Sequence, residues 1–244
     1  GIDWNTVTMN QLKEWGVKGL CISGGGEPSL HEYLPNMIDY AAMMGLDVCV
    51  ITNAVRISHK LGESLQKCRW VALSVDSADQ ETYQHIKGRD AFKSVINNIT
   101  HLAELKNLDN SKVDLCFKFL LLPENQHQIL KACRLARDAG VQDFHVRPVD
   151  FERPDIKGAK PLMYNKAFIE SVFAQCHELE TSTFHVYTVT HKFDSDFHVK
   201  YDFEKCLAAP LIIPVLTDGN AYLCVEHKMD ARYKLGSCFT EPSR

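Results

Sequence analysis

Apolar residues recur along the first 150 residues with two different spacings, which predicts strands and helices in alternation. The predicted strands are short apolar runs at 17–23, 46–52, 70–75, 113–122 and 143–149. The predicted helices lie at 3–15, 31–44, 58–66, 79–85, 91–105 and 126–139. Strands that alternate with helices of about 12 residues form βαβ units and a parallel sheet. Five units do not close an eightfold barrel, so the pattern favours an open sheet or a partial barrel.

The pattern changes after residue 150. A segment rich in proline and charge leads into a predicted helix over 165–179, and we interpret 151–183 as a linker and helix. The following strands are short, at 184–190, 212–217 and 221–225, and Asp218-Gly219 predicts a hairpin between the last two. We therefore expect three parts: an α/β partial barrel over 1–150, the linker and helix, and a small α+β module over 184–244.

Composition excludes several classes of protein. The chain has 244 residues, 45% hydrophobic and 24% charged, with a formal net charge of −4, so we expect neither a nucleic-acid nor a membrane binder. No apolar run approaches about 18 residues and no signal peptide opens the sequence. Nine cysteines are too few for a disulfide scaffold, which predicts a cytoplasmic protein with reduced thiols. Cys21, Cys49 and Cys116 lie on predicted strands, and we interpret them as core packing residues.

Polar or glycine-rich residues follow the predicted strands at the end where parallel sheets bind ligands. They are Ser23-Gly24-Gly25-Gly26-Glu27-Pro28, Thr52-Asn53, Ser74-Val75-Asp76 and Arg147. Adjacent glycines let a ligand approach the backbone, whose N–H groups can bind a carboxylate or phosphate. Glu27 could accept a hydrogen bond from an ammonium group, and Asn53, Ser74 and Asp76 could hold hydroxyls. The alternative is that the glycines only form a tight turn and that Asn53 and Asp76 cap helices.

Three of these segments resemble motifs of radical S-adenosylmethionine (SAM) enzymes, in the same order and at the same spacing over 1–150. Ser23 to His31 resembles the Gly-Gly-Glu-Pro segment, and Thr52-Asn53 stands where the family has Thr-Asn-Gly. Ser74-Val75-Asp76-Ser77, followed by Ile86-Lys87-Gly88-Arg89, resembles the Ser-x-Asp-Gly to Ile-Arg-Gly segment. The fold implied is α/β: a partial (β/α)₆ TIM-like barrel of the radical SAM type with its first strand missing, plus the small module.

The resemblance also implies SAM as cofactor. The backbone of Gly25 to Pro28 would receive the methionyl ammonium, and Ser74 and Lys87 are similar to residues that hold the methionyl carboxylate or the ribose. The cofactor-binding candidates are Gly24, Gly25, Gly26, Glu27, Pro28, Thr52, Asn53, Ser74, Asp76, Lys87 and Arg147. Three positions depart from the family pattern: Ala54 and Ser77 replace glycines, and Lys87 replaces an arginine, which loses the bidentate fork.

The family's Cys-x-x-x-Cys-x-x-Cys, which binds a [4Fe-4S] cluster, does not occur, since no two cysteines are closer than 14 residues. The motif and the first barrel strand would precede Ile2. Our interpretation is that the printed sequence starts downstream of them, and the alternative is natural loss. We therefore expect that the chain as printed cannot cleave SAM reductively. Its catalytic residues stay unknown.

The C-terminal module resembles the SPASM and twitch modules of radical SAM enzymes. Cys206, Gly219 and Cys224 fit the opening of their pattern, and Cys238 is a possible third ligand. The resemblance implies that Cys206, Cys224 and Cys238 bind an auxiliary iron–sulfur cluster. The alternative is that these cysteines are buried or idle.

The resemblance predicts an enzyme that, when intact, takes an electron from a donor and cleaves SAM reductively at a [4Fe-4S] cluster. The resulting radical would act on a small-molecule or peptide substrate that the sequence does not identify. Two alternatives remain open. One is a non-catalytic binding or scaffold protein built on a degenerate barrel. The other is a metal-free barrel enzyme whose glycine loop holds a phosphorylated substrate.

Overall fold

A computed structural model describes residues 4–149, 164–190, 204–209 and 211–237. The chain divides into two units, 1–197 and 198–244. The helices are α1 Trp4–Glu14, α2 Leu34–Met43, α3 His59–Leu65, α4 Gln80–Lys87, α5 Phe92–Leu108, α6 Ile129–Asp138 and α7 Lys166–His177. The strands are β1 Gly19–Ile22, β2 Asp47–Thr52, β3 Trp70–Ser74, β4 Asp114–Leu121, β5 Asp143–Pro148, β6 His185–Thr188, β7 Asn220–Tyr222 and β8 Lys234–Ser237.

The first unit contains one six-stranded sheet in the order β1-β2-β3-β4-β5-β6, and every neighbouring pair is parallel. Crossovers between parallel strands are right-handed as a rule, so strands in sequential order place their helices on the same face of the sheet. This architecture confirms the predicted α/β fold of the partial-barrel type. The five strands predicted before residue 150 are all present.

The sixth strand corrects one expectation. We assigned the strand at 184–190 to the small C-terminal module, but β6 pairs with β5 in the large sheet, with Asp143 opposite His185 and Val146 opposite Thr188. The sequence of a strand does not show which other strand it pairs with. We placed this strand in the small module because a linker separates it from the earlier strands. The predicted domain bounds at 150 and 183 otherwise stay a prediction.

Helix ends follow local capping chemistry. Asp79 accepts a hydrogen bond from the Thr82 N–H at 3.0 Å and so caps the start of α4, while Gly88 ends it in the left-handed conformation at φ 66°. The Ser58 hydroxyl caps α3 in the same way, and the Asn165 side chain caps α7. These caps set where α3, α4 and α7 begin.

Alternate residues of each strand face opposite sides of the sheet. One side carries buried apolar residues that join the helices' buried side chains in a single core; they include Val48, Val50, Val71, Leu73, Leu115, Phe117, Phe119, Leu121, Phe144, Val146 and Val186. We call the other side the open face, because its residues in β2, β4 and β5 are only half-buried. Its members include Cys49, Ser74, Cys116, Lys118, His145 and Arg147.

The three strand cysteines lie on the open face. Cys21 is exposed, and Cys49 and Cys116 are half-buried, so the prediction that they pack in the core is wrong. The prediction treated each strand as buried on both faces, which is typical of closed parallel sheets. Partial burial still raises the pKa of the Cys49 thiol to about 11 and that of Cys116 to about 12, so both thiols stay protonated near neutral pH.

The second unit contains a two-stranded antiparallel sheet, β7 with β8. The predicted turn at Asp218-Gly219 forms, with Gly219 at φ 77° donating to the Leu216 carbonyl at 2.9 Å. The predicted strand at 212–217 forms only in part: an antiparallel bridge joins Val215 to Ala221, the Leu216 N–H donates to the Asn220 carbonyl at 2.9 Å, and the Tyr222 N–H donates to the Pro214 carbonyl at 3.0 Å. On its other side β7 pairs with β8, a segment that we did not predict as a strand. Within the described residues, no helix combines the length and apolar character needed to cross a membrane.

Candidate functional site

The glycine loop after β1 is open and unpaired. Gly24 has φ 106°, a backbone conformation that disfavours other residues, and a Cβ added at Gly25 or Gly26 would meet no atom within 4 Å. Among the described residues, none hydrogen-bonds to the backbone N–H or C=O groups of Gly24 to Gly26. The loop therefore offers both donors and acceptors to a ligand that approaches closely.

Glu27 fixes the position of this loop. One carboxylate oxygen, Oε1, accepts from the Ser29 N–H at 3.0 Å and from the Thr52 hydroxyl at 2.5 Å, and Oε2 accepts from the Asn53 N–H at 2.8 Å. The same side chain caps the short 3₁₀ helix Pro28–Leu30. Glu27 thus joins the loop after β1 to the end of β2, and three of its roughly four acceptor sites are occupied by the protein itself.

The turn after β2 carries the predicted Thr52-Asn53 pair. The Thr52 hydroxyl oxygen accepts from the Ala54 N–H at 3.1 Å, and Asn53 Oδ1 accepts from the Val55 N–H at 3.0 Å. Ala54, which stands where the family has glycine, adopts φ 57°. Asn98 of α5 donates to the Ala54 carbonyl at 2.8 Å and supports this unfavourable conformation. The Asn53 oxygen is therefore occupied by the turn.

Asp76 lies at a second strained turn, after β3. Its φ is 62°, it is only 6% exposed, and its Oδ1 accepts from the Leu120 N–H at 2.7 Å. Its Oδ2 pairs with the ammonium group of Lys87 in α4. Both carboxylate oxygens of Asp76 are therefore engaged within the protein. We predicted Asp76 and Lys87 as cofactor contacts, and that role stays a prediction beside this structural one.

Two buried amides hold the turn after β3, and sequence reasoning missed both. Asn125 donates to the Asp76 carbonyl at 2.8 Å and to the Leu120 carbonyl at 3.0 Å, and it accepts from the Leu122 N–H at 2.8 Å. Gln128 accepts from the Ala78 N–H at 2.7 Å and donates to the Asp79 carboxylate at 2.6 Å. We call Glu27, Thr52, Asn53, Asp76, Lys87 and Asn125 the edge network.

Three serines near this edge, Ser29, Ser74 and Ser77, have hydroxyls without a hydrogen-bond partner among the described residues. Ser74 ends β3 on the open face, half-buried, and its hydroxyl forms no hydrogen bond with a described residue. Ser77 is fully buried, and its hydroxyl has no hydrogen-bond partner. Ser74 is the candidate that the sequence singled out, and its hydroxyl is free to contact a ligand.

A cluster of basic residues occupies the open face of β4 and β5. Lys118 and His145 are register partners, and Arg147, a predicted cofactor contact, follows on the same face two residues after His145. Partial burial, and then the charges of Lys118 and Arg147, lower the pKa of His145. We call these three residues the basic cluster. Sequence reasoning missed Lys118 and His145, because a single charged residue within an apolar run does not form a recognisable motif.

Two of the three metal-ligand candidates, Cys206 and Cys224, lie within the described residues. Within the described residues, no group of three or more His, Cys, Asp or Glu side chains could hold a metal ion. Cys206 is exposed, Cys224 is half-buried, and Cys238 lies outside the described residues. The cluster ligation predicted for these three cysteines therefore stays a prediction.

A parallel sheet with a glycine loop and a polar network at its carboxyl edge defines an α/β ligand-binding fold. The chain belongs to the radical SAM superfamily, because the model of that family matches residues 8–136, more than half of the chain. This confirms the resemblance found in the sequence. Members of the family use SAM and a [4Fe-4S] cluster.

Two curated relatives are similar over part of the barrel. A SAM-dependent nucleotide dehydratase from a Thermoplasmatales archaeon is 30% identical over 115 residues, 46% of this chain and 40% of the relative. A GTP 3′,8-cyclase from Chlorobaculum tepidum is 29% identical over 136 residues, 45% of this chain and 41% of the relative. The matched part of this chain spans about two fifths of the length of these relatives.

Solved structures confirm the fold. Streptococcus suis SuiB matches with a TM-score of 0.73 and 17% identity over 98% of this chain and 57% of that chain, and it has also been solved with bound SAM. The protein anSMEcpe with bound SAM and a peptide matches with a TM-score of 0.62 and 17% identity, over 98% of this chain and 69% of that chain.

The residues at the carboxyl edge fit SAM but not an iron–sulfur cluster. The unpaired carbonyls and N–H groups of Gly24 to Gly26 and the free Ser74 hydroxyl suit the ammonium and carboxylate of a methionyl group. No described set of thiolates suits a cluster.

Proposed function

We propose that this protein is a radical SAM enzyme in which the glycine loop binds the methionyl group of SAM. The observation that carries the proposal is the unpaired backbone of Gly24 to Gly26, held in place by Glu27. Loop carbonyls would accept from the methionyl ammonium, whose positive charge also favours the remaining acceptor site of Glu27. Ser74 and the Lys87 ammonium would donate to the methionyl carboxylate or the ribose.

The reaction that we propose for the intact protein is the family's reductive cleavage of SAM, which supplies a 5′-deoxyadenosyl radical. The described residues hold no cluster ligands, so their part is to bind and orient SAM. We expect no 5′-deoxyadenosine from the chain as printed under anaerobic reduction.

Calorimetry tests the methionyl assignment directly. The protein should bind SAM at least tenfold more tightly than methylthioadenosine, which lacks the amino acid group, since each lost charge-assisted hydrogen bond costs about 1.5–3 kcal/mol. Equal affinity for the two compounds would contradict the assignment. Tighter binding of a sugar phosphate than of SAM would favour the metal-free alternative.

We further propose a nucleotide as the substrate. The curated relatives named as a nucleotide dehydratase and a GTP cyclase are 30% and 29% identical to this chain. SuiB, solved with its precursor peptide, and anSMEcpe, solved with a peptide, are 15% and 17% identical, which supports a shared fold alone. A peptide is therefore the less supported substrate class.

The small second unit carries a separate proposal, that Cys206, Cys224 and Cys238 bind an auxiliary iron–sulfur cluster. The support is the resemblance of their spacing to SPASM and twitch modules. Anaerobic reconstitution should give iron and sulfide that a double Cys206→Ala, Cys224→Ala variant loses. Cys21→Ser, an exposed thiol of the first unit, is the control and should retain them. Unaltered iron content in the double variant would show the proposal to be wrong.

A further inference from the structure

The turn after β2 contains one residue in a conformation that its side chain disfavours. Ala54 has φ 57°, in the left-handed region, and it is fully buried, with 0% exposure. A residue with a Cβ atom is unfavourable in this region, whereas glycine, which the family has at this position, adopts it freely. Such a conformation persists only where surrounding contacts hold it, and it is frequent at ligand-binding sites. The turn therefore needs a support that a glycine turn would not need.

Asn98 of α5 supplies this support. Its side-chain Nδ2 donates to the Ala54 carbonyl at 2.8 Å and to the Val55 carbonyl at 3.3 Å. Both N–H groups of the amide are therefore used on two successive carbonyls of the turn. Because the Ala54 carbonyl is held in one orientation, the peptide unit that follows the strained residue is fixed as well.

The helix that carries Asn98 is firmly packed. Val95, Ile99 and Leu102 of its inner face are each 0% exposed and belong to the core. Asn98 lies directly before Ile99, at the border of this buried face, and is itself half-buried. A close-packed helix face cannot shift without leaving cavities, so the core determines the position of the amide.

The turn that Asn98 supports also positions Glu27. The Asn53 N–H donates to Glu27 Oε2 at 2.8 Å, and the Thr52 hydroxyl donates to Oε1 at 2.5 Å. The Ala54 N–H donates to that same Thr52 hydroxyl oxygen at 3.1 Å, so the strained residue is bonded to a group that holds Glu27. A relaxation of Ala54 to an ordinary backbone conformation would disturb these contacts, and with them the glycine loop that Glu27 holds.

We propose that Asn98 is a positioning residue for SAM binding. By holding Ala54 in the left-handed conformation, it keeps Glu27 and the glycine loop in the arrangement that receives the methionyl group. The inference rests on the proposed radical SAM function and adds a residue 44 positions along the chain from the turn that it holds. Asn98 acts through Ala54 and not on the ligand, so its effect should be confined to the methionyl end of SAM.

The test is calorimetric binding of SAM and of methylthioadenosine, which lacks the amino acid group. Asn98→Ala should bind SAM about tenfold more weakly, because the loop is no longer held, while its affinity for methylthioadenosine should change by less than about twofold. Asn98→Asp keeps the shape of the side chain but turns oxygens toward both carbonyls, so it should lose at least as much SAM affinity. Binding of methylthioadenosine also shows that each variant is folded.

Replacement of the strained residue should rescue the loss. Glycine adopts φ 57° without support, so adding Asn98→Ala to an Ala54→Gly protein should lower SAM affinity by less than about threefold. Asn97→Ala is the matched control, because Asn97 is the preceding residue of α5, of the same type, and exposed. It should leave both affinities unchanged.

Several results would overturn the proposal. They are an unchanged SAM affinity in Asn98→Ala, an equal loss for SAM and methylthioadenosine, a loss that Ala54→Gly does not reduce, and an equal loss in Asn97→Ala. In each of these cases the original protein still prefers SAM to methylthioadenosine, and the proposed function stands. If the original protein binds the two compounds equally, the proposed methionyl site is wrong and the role of Asn98 is wrong with it.

Discussion

The edge network and the basic cluster belong to the same sheet, yet they use their polar groups in opposite ways. In the edge network, both carboxylate oxygens of Glu27 and both of Asp76 are bound by donor groups of the protein. In the basic cluster, the side chains of Lys118 and Arg147 form no hydrogen bond with a described residue. The edge network holds the glycine loop in place while the loop's backbone groups remain without hydrogen-bond partners. In the basic cluster, the charged side chains themselves remain unpaired. Changes in the two regions should therefore have different consequences for stability and binding.

The largest effect on stability is expected from Asn125→Leu. The replacement has a similar volume but removes three hydrogen bonds and leaves the Asp76 and Leu120 carbonyls and the Leu122 N–H unpaired in a buried region. We expect the free energy of unfolding to fall by about 4 kcal/mol, measured by urea denaturation.

The exposed neighbour His127 supplies the control for this change. His127→Leu should alter the unfolding free energy by less than about 0.5 kcal/mol. A loss below about 1 kcal/mol for Asn125→Leu would mean that the amide does not support the turn at Asp76.

Glu27→Gln should have the second largest effect. The new amide group faces the Asn53 N–H or the Thr52 hydroxyl, so at least one donor loses its acceptor. We expect a loss of about 2 kcal/mol in the unfolding free energy and at least a tenfold loss in SAM affinity. Glu32→Gln, an exposed carboxylate five residues along, should change neither quantity. Unchanged SAM affinity in Glu27→Gln would exclude a role for its charge in binding.

Two glycine substitutions distinguish an effect on the stability of the fold from an effect on ligand binding. Gly24→Ala should cost about 1.5 kcal/mol of unfolding free energy, because alanine is strained at φ 106°. Gly25→Ala should leave stability within about 0.5 kcal/mol, since its Cβ points into open space, yet it should lower SAM affinity. If Gly25→Ala binds SAM as the original protein does, the ligand does not approach this part of the loop.

The sequence predicts the backbone of this site better than its side chains. The glycine loop and the strand ends were visible because apolar runs and glycines mark them locally. Asn125 and Asn98 were not visible, because each supports a turn more than 40 residues away in the chain. Lys118 and His145 become a pair only through the register of β4 with β5, and β6 joined the sheet despite a long intervening linker.

The smallest effect concerns Lys118→Met, which should change the unfolding free energy at pH 7.5 by less than about 0.5 kcal/mol because no partner is lost. It should raise the pKa of His145, which burial, Lys118 and Arg147 hold below its ordinary 6.5. With the pKa lowered in the folded state, the unfolded chain binds more protons, so stability falls as the pH drops below about 6.5. Lys118→Met should lessen that fall. NMR titration of His145 measures the shift directly, and an unchanged pKa would mean that the two side chains do not share one electrostatic site.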